Sequence, residues 1–121
     1  MQHTPHTLIT IIVNQGMAEE VMEAARSVGA TGGTIVPARG TAKEEDVKFF
    51  GYPLVPEKDM LLILAGADQT GRILEAINNL PILSKPGIGI AFCVDVERFM
   101  VFGAPQNNIL TFAPNPPQTR P

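Results

Sequence analysis

At 121 residues and 45% hydrophobic content, the chain suits one compact domain with a single core. A formal net charge of -3, a pI near 5.3 and nine scattered Lys and Arg give no basic stripe, which argues against a nucleic-acid polymer as partner and leaves a mononucleotide open. The single cysteine, Cys93, excludes an intrachain disulfide; the absence of a signal-peptide core or of an apolar run near the roughly 18 residues of a membrane span sets the expectation of a cytoplasmic protein with no direct membrane insertion.

Residues 1–7, MQHTPHT, read as a flexible lead-in, a simpler account of His3 and His6 than a copper-binding terminus. LITIIV (8–13) has strand length and almost no polar residue, as in a strand buried on both faces. After Asn14, Gln15 and Gly16 break the run, Met17, Val21, Ala25 and Val28 recur on one face of a helix whose other positions hold Glu19, Glu20 and Glu23. Arg26 near its end suits the helix dipole, and Gly29 is a natural stop. TGGTIVPAR (31–39) reads as a second strand, with Pro37 marking a locally unpaired edge. From Gly40 the chain enters TAKEEDVKFFGYPLVPE (41–57), read as a long functional loop because Phe49, Phe50 and Tyr52, set among Pro53 and Pro56, need something to dock onto; a packed hairpin excursion is the alternative.

MLLILA (60–65) is the third strand, 66–69 a turn, and Ile73, Leu74, Ile77 and Leu80 the apolar face of a second helix that Pro81 ends. A Pro/Gly turn leads to a fourth strand over 88–94, in which Cys93 is read as a buried, inert thiol. VERFMVFG (96–103) holds a short extra strand, Ile109, Leu110 and Phe112 are candidates for adding an edge strand to a neighbouring subunit, and the prolines of 114–121 mark a flexible end. Two halves of strand, helix and strand make an α+β, ferredoxin-like βαββαβ fold over 1–121: an antiparallel four-stranded sheet with both helices on one face. The uncovered face favours self-association.

Two glycine-bearing turns can carry chemistry: Gly32-Gly33 with Arg39-Gly40-Thr41, and Lys85-Pro86-Gly87-Ile88-Gly89. Phosphate oxygens need N–H donors that only bare backbone brings close, with a cation such as Arg39, Lys58 or Lys85 to balance charge. PGIG falls short of a full phosphate-loop pattern, so purely structural glycines remain the alternative. An acylphosphatase-like hydrolase on the same fold would need an arginine in the loop after the first strand, which here reads NQGMAEE.

LITIIV, the following EEV helix, VGATGGTIVPARGT, PEKDMLLILA, PGIGIAF and VDVER, in this order and spacing, resemble the PII signalling proteins, in a divergent branch of the kind associated with transporters or carboxysomes. The resemblance implies a regulator and not an enzyme: a homotrimer that binds an adenine nucleotide between subunits and uses its long loop to engage a membrane transporter or a metabolic enzyme of carbon or nitrogen assimilation. By position, Thr34 matches the threonine that reads the adenine edge, Gly87 and Gly89 the phosphate-loop glycines, and Gly40 and Thr41 the loop base, with Arg39 in place of a lysine. Gly32, Gly33, Lys58, Ile63, Leu64, Lys85, Pro86, Ile88 and Ile90 complete the expected nucleotide site. Lys58 resembles a lysine that contacts small carboxylate effectors, making bicarbonate a candidate co-effector.

The departures bear on the ligand. Ile90 stands where the family carries a lysine, and Val101 and Gly103 fall where two arginines grip the outer phosphates. Each lost charge-assisted bond is worth on the order of 1.5–3 kcal/mol, so ADP, AMP or a cyclic nucleotide is expected ahead of ATP. No glutamine lies in 41–57 to hold magnesium with 2-oxoglutarate, and Tyr52 reads as a docking aromatic and not a modified loop tip. A trimeric metal-tolerance or scaffold protein of the same architecture is the competing reading.

Overall fold

The structure, a computed structural model, describes residues 5–41, 57–103 and, as backbone, 109–111. The expectations for His3, for 42–56 with Phe49, Phe50 and Tyr52, and for 112–121 lie outside the described residues. The strands are β1 (His6–Asn14), β2 (Thr34–Arg39), β3 (Glu57–Gly66), β4 (Gly89–Val96), β5 (Arg98–Met100) and β6 (Ile109–Thr111); the helices are α1 (Ala18–Ser27) and α2 (Ala67–Asn78). The main sheet has the order β2-β3-β1-β4 with every pair antiparallel, the ferredoxin-like arrangement expected from the order of elements.

β1 lies inside this sheet because its β-branched run pairs on both edges, Ile9 meeting Ile63 on one side and Cys93 on the other. Alternation then sends Ile9, Ile11 and Val13 of β1 and Leu61, Ile63 and Ala65 of β3 into one core. The helices cover that core with Ala18, Val21, Met22 and Ala25 of α1 and Ile73 and Ile77 of α2. The buried stripe of α1 thus passes through Ala18 and Met22 as well as Val21 and Ala25, whereas Met17 and Val28, expected on the same face, only flank it. α1 ends as anticipated at Gly29, whose φ of 115° lets its N–H donate to the Arg26 carbonyl at 3.1 Å and the Ala30 N–H to the Ala25 carbonyl at 3.1 Å.

Several boundaries move. β3 begins at Glu57, so the last expected loop residue belongs to the sheet, and α2 begins at Ala67 where a turn was expected. Extended backbone at Gly66 passes directly from strand to helix, and the Ala67 N–H donates to the Pro5 carbonyl at 2.9 Å. α2 stops at Asn78, short of Leu80, because the residue before Pro81 is pushed out of helical geometry; Pro81–Leu83 then forms a short 3-10 turn. In the tail, Ile109–Thr111 pairs with β5 of its own chain, where a neighbouring subunit had been expected. The Phe99 ring meets His6 edge-on at 4.7 Å and ties β5 to the start of β1.

β4 departs most from its composition. Although Cys93 in its apolar run reads as buried, Gly89 through Asp95 are all exposed, Cys93 included, because α2 packs on β1 and β3 and leaves the helix-facing side of β4 uncovered. The residual burial still pushes the Cys93 thiol above its ordinary pKa. At the first position of β4, a methyl on Gly89 would overlap the Ile12 carbonyl and approach Val13 Cγ1 to 2.8 Å. Gly89→Ala is therefore expected to lower stability by about 1–3 kcal/mol, while Gly32→Ala, with nothing within 4 Å of its added methyl, stays within about 0.5 kcal/mol of wild type; urea unfolding measures both.

Candidate functional site

The site starts from a difference in strand length. β2 begins at Thr34, opposite Leu62, whereas β3 continues past Leu62 to Gly66. The Leu62 carbonyl points toward the β2 side, since a Cβ on Gly33 would meet it at 3.0 Å. In a pleated strand the residue two places on repeats that direction, so Leu64 turns its N–H and C=O to the same side, where no described strand faces it. Around this free peptide edge, Leu8, Thr31, Gly32, Gly33, Thr34, Leu62 and Leu64 line a depression of about 400 Å³. Gly33 is fixed there by close packing, with Met22 Sδ 2.9 Å from where its Cβ would be, whereas Gly32 faces open space. The combination of aliphatic walls, a main-chain donor beside a main-chain acceptor, and an exposed Thr34 hydroxyl matches the edge of a planar heterocycle.

The second glycine turn follows the 3-10 segment: Lys85, Pro86 and Gly87 are exposed, Gly87 has φ 82°, and Ile88 leads into Gly89. The register aligns Pro37, Asp59, Val13 and Gly89 in one row across the sheet. Arg39, Gly40 and Thr41 therefore leave the sheet at the same end as the segment 85–88, but from the opposite edge, about 14 Å away across three strand spacings. One chain cannot close both turns on one small anion. At that same end Lys58, half-buried on the uncovered face, donates from Nζ to Asn14 Oδ1 at 2.6 Å, a neutral partner that positions the ammonium without cancelling its charge. Beside it Asp59 Oδ2 accepts the Gly16 N–H at 2.9 Å and fastens the turn after β1.

Two expected residues fall differently. Ile63 is 0% exposed on the helix-facing side, so its side chain belongs to the core and not to the depression that Leu64 lines. Ile90 is 62% exposed on the uncovered face and contributes no charge. A second cavity, of about 560 Å³ between α2 and β4, escaped sequence reasoning; Ile11, Val13, Leu74, Ile77, Leu83 and Ala91 are among its lining residues, with Glu75 and Asn78 also at its wall. Its signal was the alternation of small Gly89 and Ala91 with bulky Ile90 and Phe92. Among the described residues there is no cluster of three or more metal-ligating acidic, His or Cys side chains, and no helix is long and apolar enough to cross a membrane.

Comparison with known proteins places these features. The profile of the family described as "Nitrogen regulatory protein P-II" matches residues 6–103. No curated protein sequence matches the chain. Among solved structures, a PII-like signalling protein of Thermus thermophilus is 24% identical with a TM-score of 0.57, covering 79% of this chain and 90% of its own. Arabidopsis thaliana PII bound to citrate is 19% identical with a TM-score of 0.64 and 82% of each chain covered. CPII of Thiomonas intermedia K12, a nitrogen regulatory PII-like protein bound to ADP, AMP and bicarbonate, is 19% identical with a TM-score of 0.57, covering 76% of this chain and 90% of its own. At these identities the structural likeness establishes the fold.

The adjacent residues of β3 separate core from site. Ile63→Ala is expected to cost about 2–5 kcal/mol in urea unfolding, and Leu64→Ala, at a position already 39% exposed, less than about 1.5 kcal/mol.

Proposed function

The chain belongs to the P-II family of nitrogen regulatory proteins, and from that premise we propose that it acts as a homotrimeric sensor holding an adenine nucleotide in each cleft between copies. The family consists of signalling proteins and not enzymes. One observation carries the reading: β2 ends its pairing at Leu62 and leaves the Leu64 peptide open beside Thr34, where an adenine edge, itself a donor next to an acceptor, continues the sheet. The opposite-edge placement of 39–41 and 85–88 supports a cleft assembled from two copies. The uncovered sheet face, with Ile90, Phe92 and Val94 from 47% to 62% exposed, supports assembly through that face.

Residues Gly32, Gly33, Thr34 and Leu64 take the base, while Gly87, Ile88 and Gly89 with Lys85, Pro86, Arg39, Gly40 and Thr41 take the phosphates. Ile90 supplies no cation, so ADP and AMP bind ahead of ATP. Lys58, held by neutral Asn14, receives a small anion such as bicarbonate, the ion found with ADP and AMP in the Thiomonas protein. The stretch 41–57 relays the adenylate state to a protein target, a membrane transporter or a metabolic enzyme, from the cytoplasm. A trimeric scaffold of the same fold is the second reading, favoured by the tight packing that gives Gly33 and Gly89 structural reasons of their own.

Isothermal titration with ATP, ADP, AMP and bicarbonate separates the two readings, since the sensor binds an adenylate below millimolar concentration and the scaffold binds none. Thr34→Val is expected to weaken adenylate binding roughly 2- to 10-fold without changing the mass of the assembly, and unchanged affinity would place the base elsewhere. Ile90→Lys is expected to raise ATP affinity relative to AMP by about tenfold or more.

A further inference from the structure

Two apolar features of this chain complement each other, and the first shares Gly89 with the proposed phosphate turn. One is the largely apolar cavity between α2 and β4, about 560 Å³, walled by Leu74, Ile77 and Leu83 with Glu75 and Asn78 beside them, and floored by Gly89 and Ala91. An aliphatic hollow of this kind forfeits packing contacts for as long as nothing apolar fills it. The other is Phe102, 88% exposed just after β5, with Met100 and Val101 each 53% exposed beside it and Gly103 turning the chain at φ 74°. An aromatic ring so exposed, next to two further apolar side chains, is a contact surface in search of an apolar receptor.

The ring cannot fill the cavity of its own chain. β5 follows Val96, which pairs with His6, and Phe99 stacks against His6, so Phe102 sits at the His6 end of the sheet. The cavity lies at the other end, where Gly89 pairs with Val13; seven residues of β1, about 23 Å at 3.3 Å each, separate the two. Knob and hole are therefore different patches of one surface, the head-to-tail relation that generates closed rings when the rotation closes.

We infer that Phe102 of one copy seats in the α2/β4 cavity of the next copy, resting on the trimer reading above and adding a specific contact to it. The floor of that cavity is the reverse side of the Gly89–Ile90 segment, so the incoming ring braces the turn 85–88 from behind and contributes to the neighbour's phosphate wall. Apolar character is needed at 102, and shape more than charge sets the fit.

The test uses the full chain carrying Cys93→Ser, with Phe102→Cys and Leu83→Cys introduced singly and together. Under mild oxidation the double variant is expected to form disulfides between chains, up to the mass of three, on a non-reducing gel, and neither single variant does so. In a chain with wild-type Cys93, Phe102→Ala is expected to raise the concentration of half-dissociation roughly 10- to 30-fold and Phe102→Leu much less. A trimer by light scattering that shows no cross-link in the double variant and no loss with Phe102→Ala overturns the inference and leaves the trimer standing. A monomeric wild type overturns both.

Discussion

The nine residues of β1 pair along their whole length with β3, from His6 opposite Gly66 to Asn14 opposite Lys58. Strict alternation along that ladder forces Ile9, Ile11 and Val13 to one side with Leu61 and Ile63, and Leu8, Thr10 and Ile12 to the other with Leu62 and Leu64. A slip of one residue would exchange the two sets, placing the helices on the wrong face and moving Lys58 away from Asn14. The register that builds the core is thus also the register that arranges the candidate site: it sets Thr34, Leu62 and Thr10 in one row and brings Gly89 level with Pro37 at the opposite edge.

Much of this was legible in the residues. Runs such as LITIIV and MLLILA announced the central strands, the helical spacing of Val21, Ala25, Ile73 and Ile77 announced which helix faces are buried, and Gly29 closed α1 as its type suggests. The βαββαβ order then left little choice of topology. At the site, Gly32, Gly33, Thr34 and Leu64 do line one depression, although the sequence placed Ile63 beside them. Adjacent strand residues point to opposite faces, and a motif read by position alone does not reveal which of two neighbours looks outward.

What escaped the sequence has physical reasons. Apolar content reports that a strand prefers to be covered, without saying by what, and the faces of GIAFCVDV are open in the single chain. Cys93 was misread by the same logic. The cavity under α2 depends on how far a helix leans over a sheet, a quantity that no local pattern encodes. The early start of α2 turned on the absence of a loop between Gly66 and Ala67, where Asp68, Gln69 and Thr70 have turn-like composition but sit in a helix's first turn, with the Thr70 hydroxyl donating to the Gly66 carbonyl at 3.1 Å.

The Leu64 peptide has a consequence beyond recognition. A donor and acceptor that no described strand pairs at the margin of a sheet, flanked by leucines, form the kind of template to which an extended segment of another chain adds and from which aggregates grow. A flat base lying there would terminate the sheet as a lid of one residue's thickness, hydrogen-bonded on one side and offering nothing further to pair with on the other. In the proposed sensor, ligand occupancy and colloidal behaviour would draw on the same two backbone atoms.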